Sequence, residues 1–119
     1  MSGYVDLFLL PLPKKNLSRY RRQAQAFGKV ALEYGAVRYR EFADDNLVVK
    51  GMRSFGKNVR IKRGELVIAA VTEFKSRAHR DAVMKKLFND PRLTAMMETE
   101  PLFSAKRMAY GGFKTFVDF

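Results

Sequence analysis

Glu65-Leu66-Val67-Ile68-Ala69-Ala70-Val71-Thr72-Glu73-Phe74 is the stretch on which the fold turns. It is short, rich in β-branched residues and nearly unbroken in apolar character, which predicts a strand covered on both faces. Ser76 follows as an N-cap, and a helix is expected over Arg77–Asn89, with Ala78, Ala82, Val83 and Leu87 on its buried side. Asp90-Pro91 ends that helix, and Pro91–Met97 opens another short one. Beyond Pro101 a last strand is expected over Lys106–Val117, with Gly111-Gly112 forming a bulge or kink inside it.

The same order recurs upstream. Tyr4–Leu10 is an apolar and aromatic run stopped by Pro11 and Pro13, hence a first strand. Leu17, Tyr20, Ala24, Phe27, Ala31 and Tyr34 recur at steps of three and four, placing them on one face of a helix that Gly35 terminates. Ala36–Phe42 reads as strand two, with Val37 and Tyr39 alternating against Arg38 and Arg40. Asp44–Gly64 reads as a long connection with a short extended piece at Leu47–Lys50. Two β-α-β units in succession predict an α+β, ferredoxin-like βαββαβ sandwich: a four-stranded antiparallel sheet with helices on one face, in a single domain over residues 1–119. Helices on one face leave the other side of Glu65–Phe74 bare. A second copy is the simplest cover, closing a dimeric α/β barrel from two sheets.

The totals narrow the functional classes. A chain of 119 residues, 47% hydrophobic, builds its core without staples. With no cysteine and one histidine, His79, it offers no thiolate nucleophile, no disulfide and no ordinary zinc or iron ligand set, so no metal and no cofactor are expected. The longest apolar run, Val5–Leu12, is far shorter than the ~20 residues that span a bilayer and lacks a basic flank before it, so no membrane partner and a cytoplasmic location are expected. Glycine-rich phosphate loops and serine triads are missing from the sequence.

Several blocks carry a family resemblance. Tyr4-Val5-Asp6 followed by Pro11-Leu12-Pro13, Ser76 to Val83, Asn89-Asp90-Pro91-Arg92, and Lys106 to Phe113 stand in order along nearly the whole chain. Together they resemble a bacterial family of uncharacterised small proteins, the YbaA-like family, related to the dimeric α/β-barrel fold. The resemblance implies a ferredoxin-like homodimer and no known reaction.

Asp6 lies among Val5, Leu7, Phe8 and Leu9, where a carboxylate is either desolvated or paired with a cation. It is a candidate general base or ligand anchor. The alternatives are an ion pair with Arg107 or a solvent-facing place at the sheet's edge. His79 falls in the first turn of its helix, where the helix dipole favours the neutral ring, a second candidate for catalysis or for a bond to a neighbouring loop. Arg107 and Tyr110, beside the glycine pair, are candidate ligand contacts, but strand alternation places them on opposite faces unless a bulge resets the register.

The net charge of +11 suggests a second class of partner, nucleic acid or another polyanion. Its candidate surface is Lys50, Arg53, Lys57, Arg60, Lys62 and Arg63, in a stretch with no acid between Asp45 and Glu65, joined by Lys14, Lys15, Arg19, Arg21 and Arg22. RNA-recognition domains share the βαββαβ order, but their aromatic platform sits on strands one and three. Here strand three is aliphatic up to Phe74, and Tyr-Gly-Gly-Phe falls on strand four. The sequence therefore leaves three readings: a homodimer with a small-ligand pocket between sheet and helices, a polyanion-binding module, and a structural or regulatory dimer without a ligand.

Overall fold

Four strands pair antiparallel in the order β2-β3-β1-β4, the arrangement that two interlocked β-α-β units generate. The computed structural model describes residues 3–119. The strands are β1 (Tyr4–Pro13), β2 (Arg38–Ala43), β3 (Glu65–Phe74) and β4 (Ala109–Lys114); the helices are α1 (Leu17–Glu33), α2 (Phe55–Asn58), α3 (Arg77–Phe88) and α4 (Pro91–Met97). The expected ferredoxin-like α+β architecture is therefore present, with β3 and α4 bounded as the sequence predicts.

Register assigns every strand residue to a face. Tyr4, Asp6, Phe8, Leu10 and Leu12 of β1 share a side with Leu66, Ile68, Ala70, Thr72 and Phe74 of β3. Tyr39 and Glu41 of β2, opposite Thr72 and Ala70, lie on this side too, as do Tyr110 and Gly112 of β4, opposite Phe8 and Asp6. It carries the helices. One core cluster joins Val30, Ala31, Phe74, Val83, Leu87 and Leu93, and a second joins Leu10, Leu12 and Ile68 to the half-buried Leu17, Tyr20 and Phe103.

Local chemistry explains the helix ends. Ser76 Oγ accepts the His79 N–H at 3.0 Å, and Asp90 caps α4 by accepting from Arg92 N–H at 2.8 Å, with Pro91 in the first turn. At the end of α1, Gly35 (φ 108°) turns the chain so that its N–H bonds Leu32 O and the Ala36 N–H bonds Ala31 O. That pair of bonds is a Schellman motif, open to glycine because of its positive φ.

Four expectations need correction. Pro11 and Pro13 do not stop β1, which pairs with β3 as far as Pro13↔Glu65. Pairing with β4 ends at Leu9↔Ala109, and the Lys14 N–H still points to the β3 side, bonding Gly64 O. By alternation the missing N–H groups of residues 11 and 13 fall on the vacant side, where proline costs no ladder bond. Second, β4 is shorter than Lys106–Val117 and pairs residue for residue from Tyr4↔Lys114 to Leu9↔Ala109, so Gly111 and Gly112 form no bulge. A Cβ on Gly112 would instead stand 2.0 Å from the Tyr4 hydroxyl, so this glycine makes room. Third, Ala78 and Ala82 are exposed, and the inward stripe of α3 runs through His79, Arg80, Val83, Met84 and Leu87. Polar residues in that stripe hide its phase. Fourth, Leu47–Lys50 joins no strand; the ordered piece of the connection is α2, capped by Ser54 Oγ accepting from Gly56 N–H at 3.1 Å.

The other face of the sheet presents Leu7, Leu9, Ala69, Val71 and Phe113. The connection folds back onto one end of it. Phe55 lines a hollow of about 320 Å³ together with Leu7, Leu9, Ala69 and Val71, while Val59 is wholly buried, as are Pro11 and Val67 of this face. Arg107 fastens the connection: its Nη1 donates to Arg60 O at 2.9 Å, and the guanidinium grips Glu65 at 2.8 and 2.6 Å. Part of the cover that β3 requires is thus supplied within the chain.

Candidate functional site

Two hollows lie on the helix side of the sheet, sharing one wall. The inner one, nearer the centre of the sheet and about 210 Å³, is an open hollow lined by Phe8 and Leu10 of β1, Ala70 and Thr72 of β3, Ala24 and Phe27 of α1, and Met96, Phe103 and Met108. The outer one, about 410 Å³, opens beside β2 and reaches Arg21 and Gln25. Tyr20, Ala24, Tyr39 and Glu41 line both.

Glu41 is the acid of this wall. Alternation along β2 turns it and Tyr39 toward the helices, while Arg38, Arg40 and Phe42 take the opposite face. Tyr20, on the inward stripe of α1, donates its hydroxyl to Glu41 Oε1, and Tyr39 donates to Oε2. Among the described residues Glu41 forms no ion pair. Burial pushes its carboxyl above the usual range, against the opposing pull of the Tyr20 bond. The Tyr20 hydroxyl is likewise held well above its ordinary value, first by burial and then by the adjacent carboxylate. Gly28 makes the arrangement fit, since a Cβ there would stand 2.6 Å from the Tyr39 ring.

Asp6 occupies a different setting. It is 1% exposed and faces the helices, but its oxygens accept from Arg80 Nε at 3.2 and 3.0 Å and from the Tyr110 hydroxyl at 2.9 Å. Arg80 also donates to Tyr110 at 3.2 Å and to Asp81 at 3.2 Å. Burial works against the guanidinium charge, yet the bonds to Asp6 and Asp81 prevail, and the Arg80 pKa is raised. Neither alternative raised for Asp6 holds: it is buried, and Arg107 sits outside β4 and is taken by Glu65. Arg107 holds Glu65 below the usual carboxylate range, with burial opposing.

The structure thus unites Asp6 with Tyr110, directly and through Arg80, and separates both from Arg107. His79 stands beside Gly35, and its Nδ1 accepts the Lys75 N–H at 3.0 Å, a bond to the loop preceding its own helix. Neither Asp6 nor His79 lines either hollow. Lys50, Arg53, Lys57, Arg60, Lys62 and Arg63 are all exposed. Sequence reasoning missed Glu41 because Arg38 and Arg40 precede it, although the alternation of Val37, Tyr39 and Glu41 already set it on the apolar side of β2.

The architecture and its hollow define a small ferredoxin-like α+β protein with a cavity between its sheet and its helices. Residues 3–104 match the family described as "Protein of unknown function (DUF1428)", and the chain belongs to it. The uncharacterised protein YbaA of Escherichia coli strain K12 is 32% identical over 115 residues, covering 97% of each chain. YbaA of Shigella flexneri matches to the same extent. Among solved structures, SnoaB, a cofactor-independent oxygenase from Streptomyces nogalater, superposes with a TM-score of 0.53 at 18% identity, over 99% of this chain and 97% of that one. That likeness shows the shared fold and carries no activity across. None of the described helices is long and apolar enough to cross a membrane.

Proposed function

We propose that the chain is one half of a cytoplasmic homodimer that binds a small molecule in the hollow between α1 and the sheet. The observation that carries this reading is the inner hollow of about 210 Å³, which the side chains around it leave unfilled. A concave site with apolar walls and a few convergent polar groups is the usual form of a ligand site. The exposed Leu7, Phe42, Phe55 and Phe113 on the opposite face support the dimer, whose partner would cover them. A thermal-shift screen with metabolites, haem and quinols tests the pocket, and absence of any hit would sink it. Running Asp6→Ala and His79→Ala through the same screen tests those residues as contacts: a ligand shift lost in either variant would restore its catalytic candidacy. Sedimentation tests the dimer, and a monomer would remove the barrel. A dimer without any ligand would leave the structural or regulatory reading.

A second reading rests on the exposed cations of residues 50–63, which form no ion pair among the described residues. A polyanion held there would dissociate steeply with salt. Gel shifts across a salt series decide it, and no retention at low salt rejects it.

A further inference from the structure

We propose that Glu41 is the acceptor that selects the ligand of the inner hollow, favouring a small, neutral, ring-shaped molecule with one N–H or O–H donor. The inference rests on reading that hollow as a ligand site and adds the chemistry it recognises.

Glu41 differs from the other buried or half-buried carboxylates that pair with arginine. Asp6 has Arg80, Glu65 has Arg107 and Asp90 has Arg92, whereas Glu41 has two tyrosine hydroxyls. Bonds from hydroxyls satisfy its lone pairs but leave its charge unneutralised. A carboxylate held in apolar surroundings without a cation is a strong acceptor, and it repels an anionic ligand. It is also well placed, because Tyr20, Tyr39 and Glu41 belong to the wall shared by the two hollows. A molecule in either hollow meets these three groups. Its donor can replace one tyrosine hydroxyl on the carboxylate, while its ring lies against Phe8 and Phe27.

The charged and titratable groups around Glu41 are few. The α1 helix contributes Tyr20 and Arg21, and β2 contributes Tyr39 and Arg40. The strands β1 and β3 contribute Phe8, Ala70 and Thr72, and Met96 comes from α4. None of this last group titrates, so a pH response of ligand selection between acid and neutral reports Glu41.

Indole and N-methylindole share a ring, and the first alone carries a donor. The chain has no tryptophan, so the fluorescence of either compound, excited beyond the absorbance of the tyrosines, can be followed. At about pH 8 the protein is expected to bind indole about tenfold more tightly than N-methylindole, the advantage of roughly one bond to a charged acceptor. Glu41→Gln, which offers only a neutral amide oxygen, is expected to shrink this preference to a few-fold at most by weakening indole and leaving N-methylindole unchanged. Because the Glu41 pKa is raised, its acceptor charge is present at high pH and lost on acidification. The preference should therefore fade in the native chain between about pH 8 and pH 4, a reading that survives if the variant does not fold. Equal binding of the two compounds at about pH 8, or a preference untouched by both acid and Glu41→Gln, overturns the selector and leaves the pocket standing. Binding of neither compound overturns the pocket as well.

Discussion

Asp6 and Glu41 are carboxylates on the same face of one sheet, and their surroundings have pushed them to opposite ends of reactivity. Asp6 is bound by a guanidinium and a tyrosine and seals the seam between β1, β4 and α3. Glu41 is bound by two tyrosines, with no cation, at the edge of a hollow. In each case a glycine makes room for a tyrosine: Gly112 beneath Tyr4 and Tyr110, Gly28 beneath Tyr39. Depth of burial alone would pick Asp6 as the chemical group. What separates the two is whether the charge is already answered, and an answered charge holds the fold together instead of meeting a ligand.

The contrast can be broken in four ways. The largest expected effect is that of Asp6→Ala, which strands Arg80 and the Tyr110 hydroxyl against the sheet. The loss should be about 2–3 kcal/mol in urea unfolding, below the full cost of a broken buried pair because Arg80 keeps Asp81 and some solvent. A loss under about 1 kcal/mol would show that the pair is not structural. Next, Gly28→Ala presses on the Tyr39 ring and should cost about 1–2 kcal/mol. It should also disturb the hollow, seen as altered tyrosine absorbance. Gly112→Ala drives Tyr4 and Tyr110 outward for about 1 kcal/mol and should leave the Glu41 hollow untouched. The smallest effect, with the opposite sign, belongs to Glu41→Gln. It removes a charge that burial disfavours and keeps an amide oxygen for the tyrosines, so the variant should equal or slightly exceed the native chain near pH 8.

The pH dependence follows from the directions of the shifts. Glu41 has a raised folded pKa, so the folded state holds its proton more tightly than the unfolded one. Its cost to stability is present above the folded pKa and relieved as pH falls toward the ordinary carboxylate value. Glu65 has a lowered folded pKa, so its contribution is present above the ordinary value and lost as pH falls through the folded one. Between about pH 8 and pH 5 the native chain should therefore gain on Glu41→Gln in urea midpoint. Below about pH 4 it should lose stability as Glu65 releases Arg107. A Glu41→Gln difference that is flat with pH would erase the proposed distinction between the two carboxylates.

Much of the scaffold was legible because its signals are local. The apolar run of β3, the Ser76 cap, Gly35 after α1 and Asp90-Pro91 before α4 each declare an element boundary through nearby chemistry. The sites were less legible because they depend on pairings distant in sequence. Asp6 stood out as an acid among aliphatic residues, but its partner Arg80 is hidden in a helical stripe whose phase the exposed Ala78 and Ala82 disguise. Glu41 was hidden for the opposite reason, since Arg38 and Arg40 make its strand look wet. The partner of Arg107 was equally remote: it bonds Glu65 at the start of β3 and reaches back to the carbonyl of Arg60. The fold of the connection follows from those contacts, which no period or spacing announces.

The prolines of β1 have a consequence beyond their fit to the register. From Leu10 to Pro13 this strand pairs with no strand on its β4 side, and an unpaired strand edge ordinarily invites a strand from a neighbouring molecule. With N–H groups missing at residues 11 and 13, an incoming chain finds no continuous row of donors to zip against. The notch is therefore protected against runaway sheet growth. Replacing Pro11 and Pro13 by valine would supply the missing donors and turn it into a seed for aggregation.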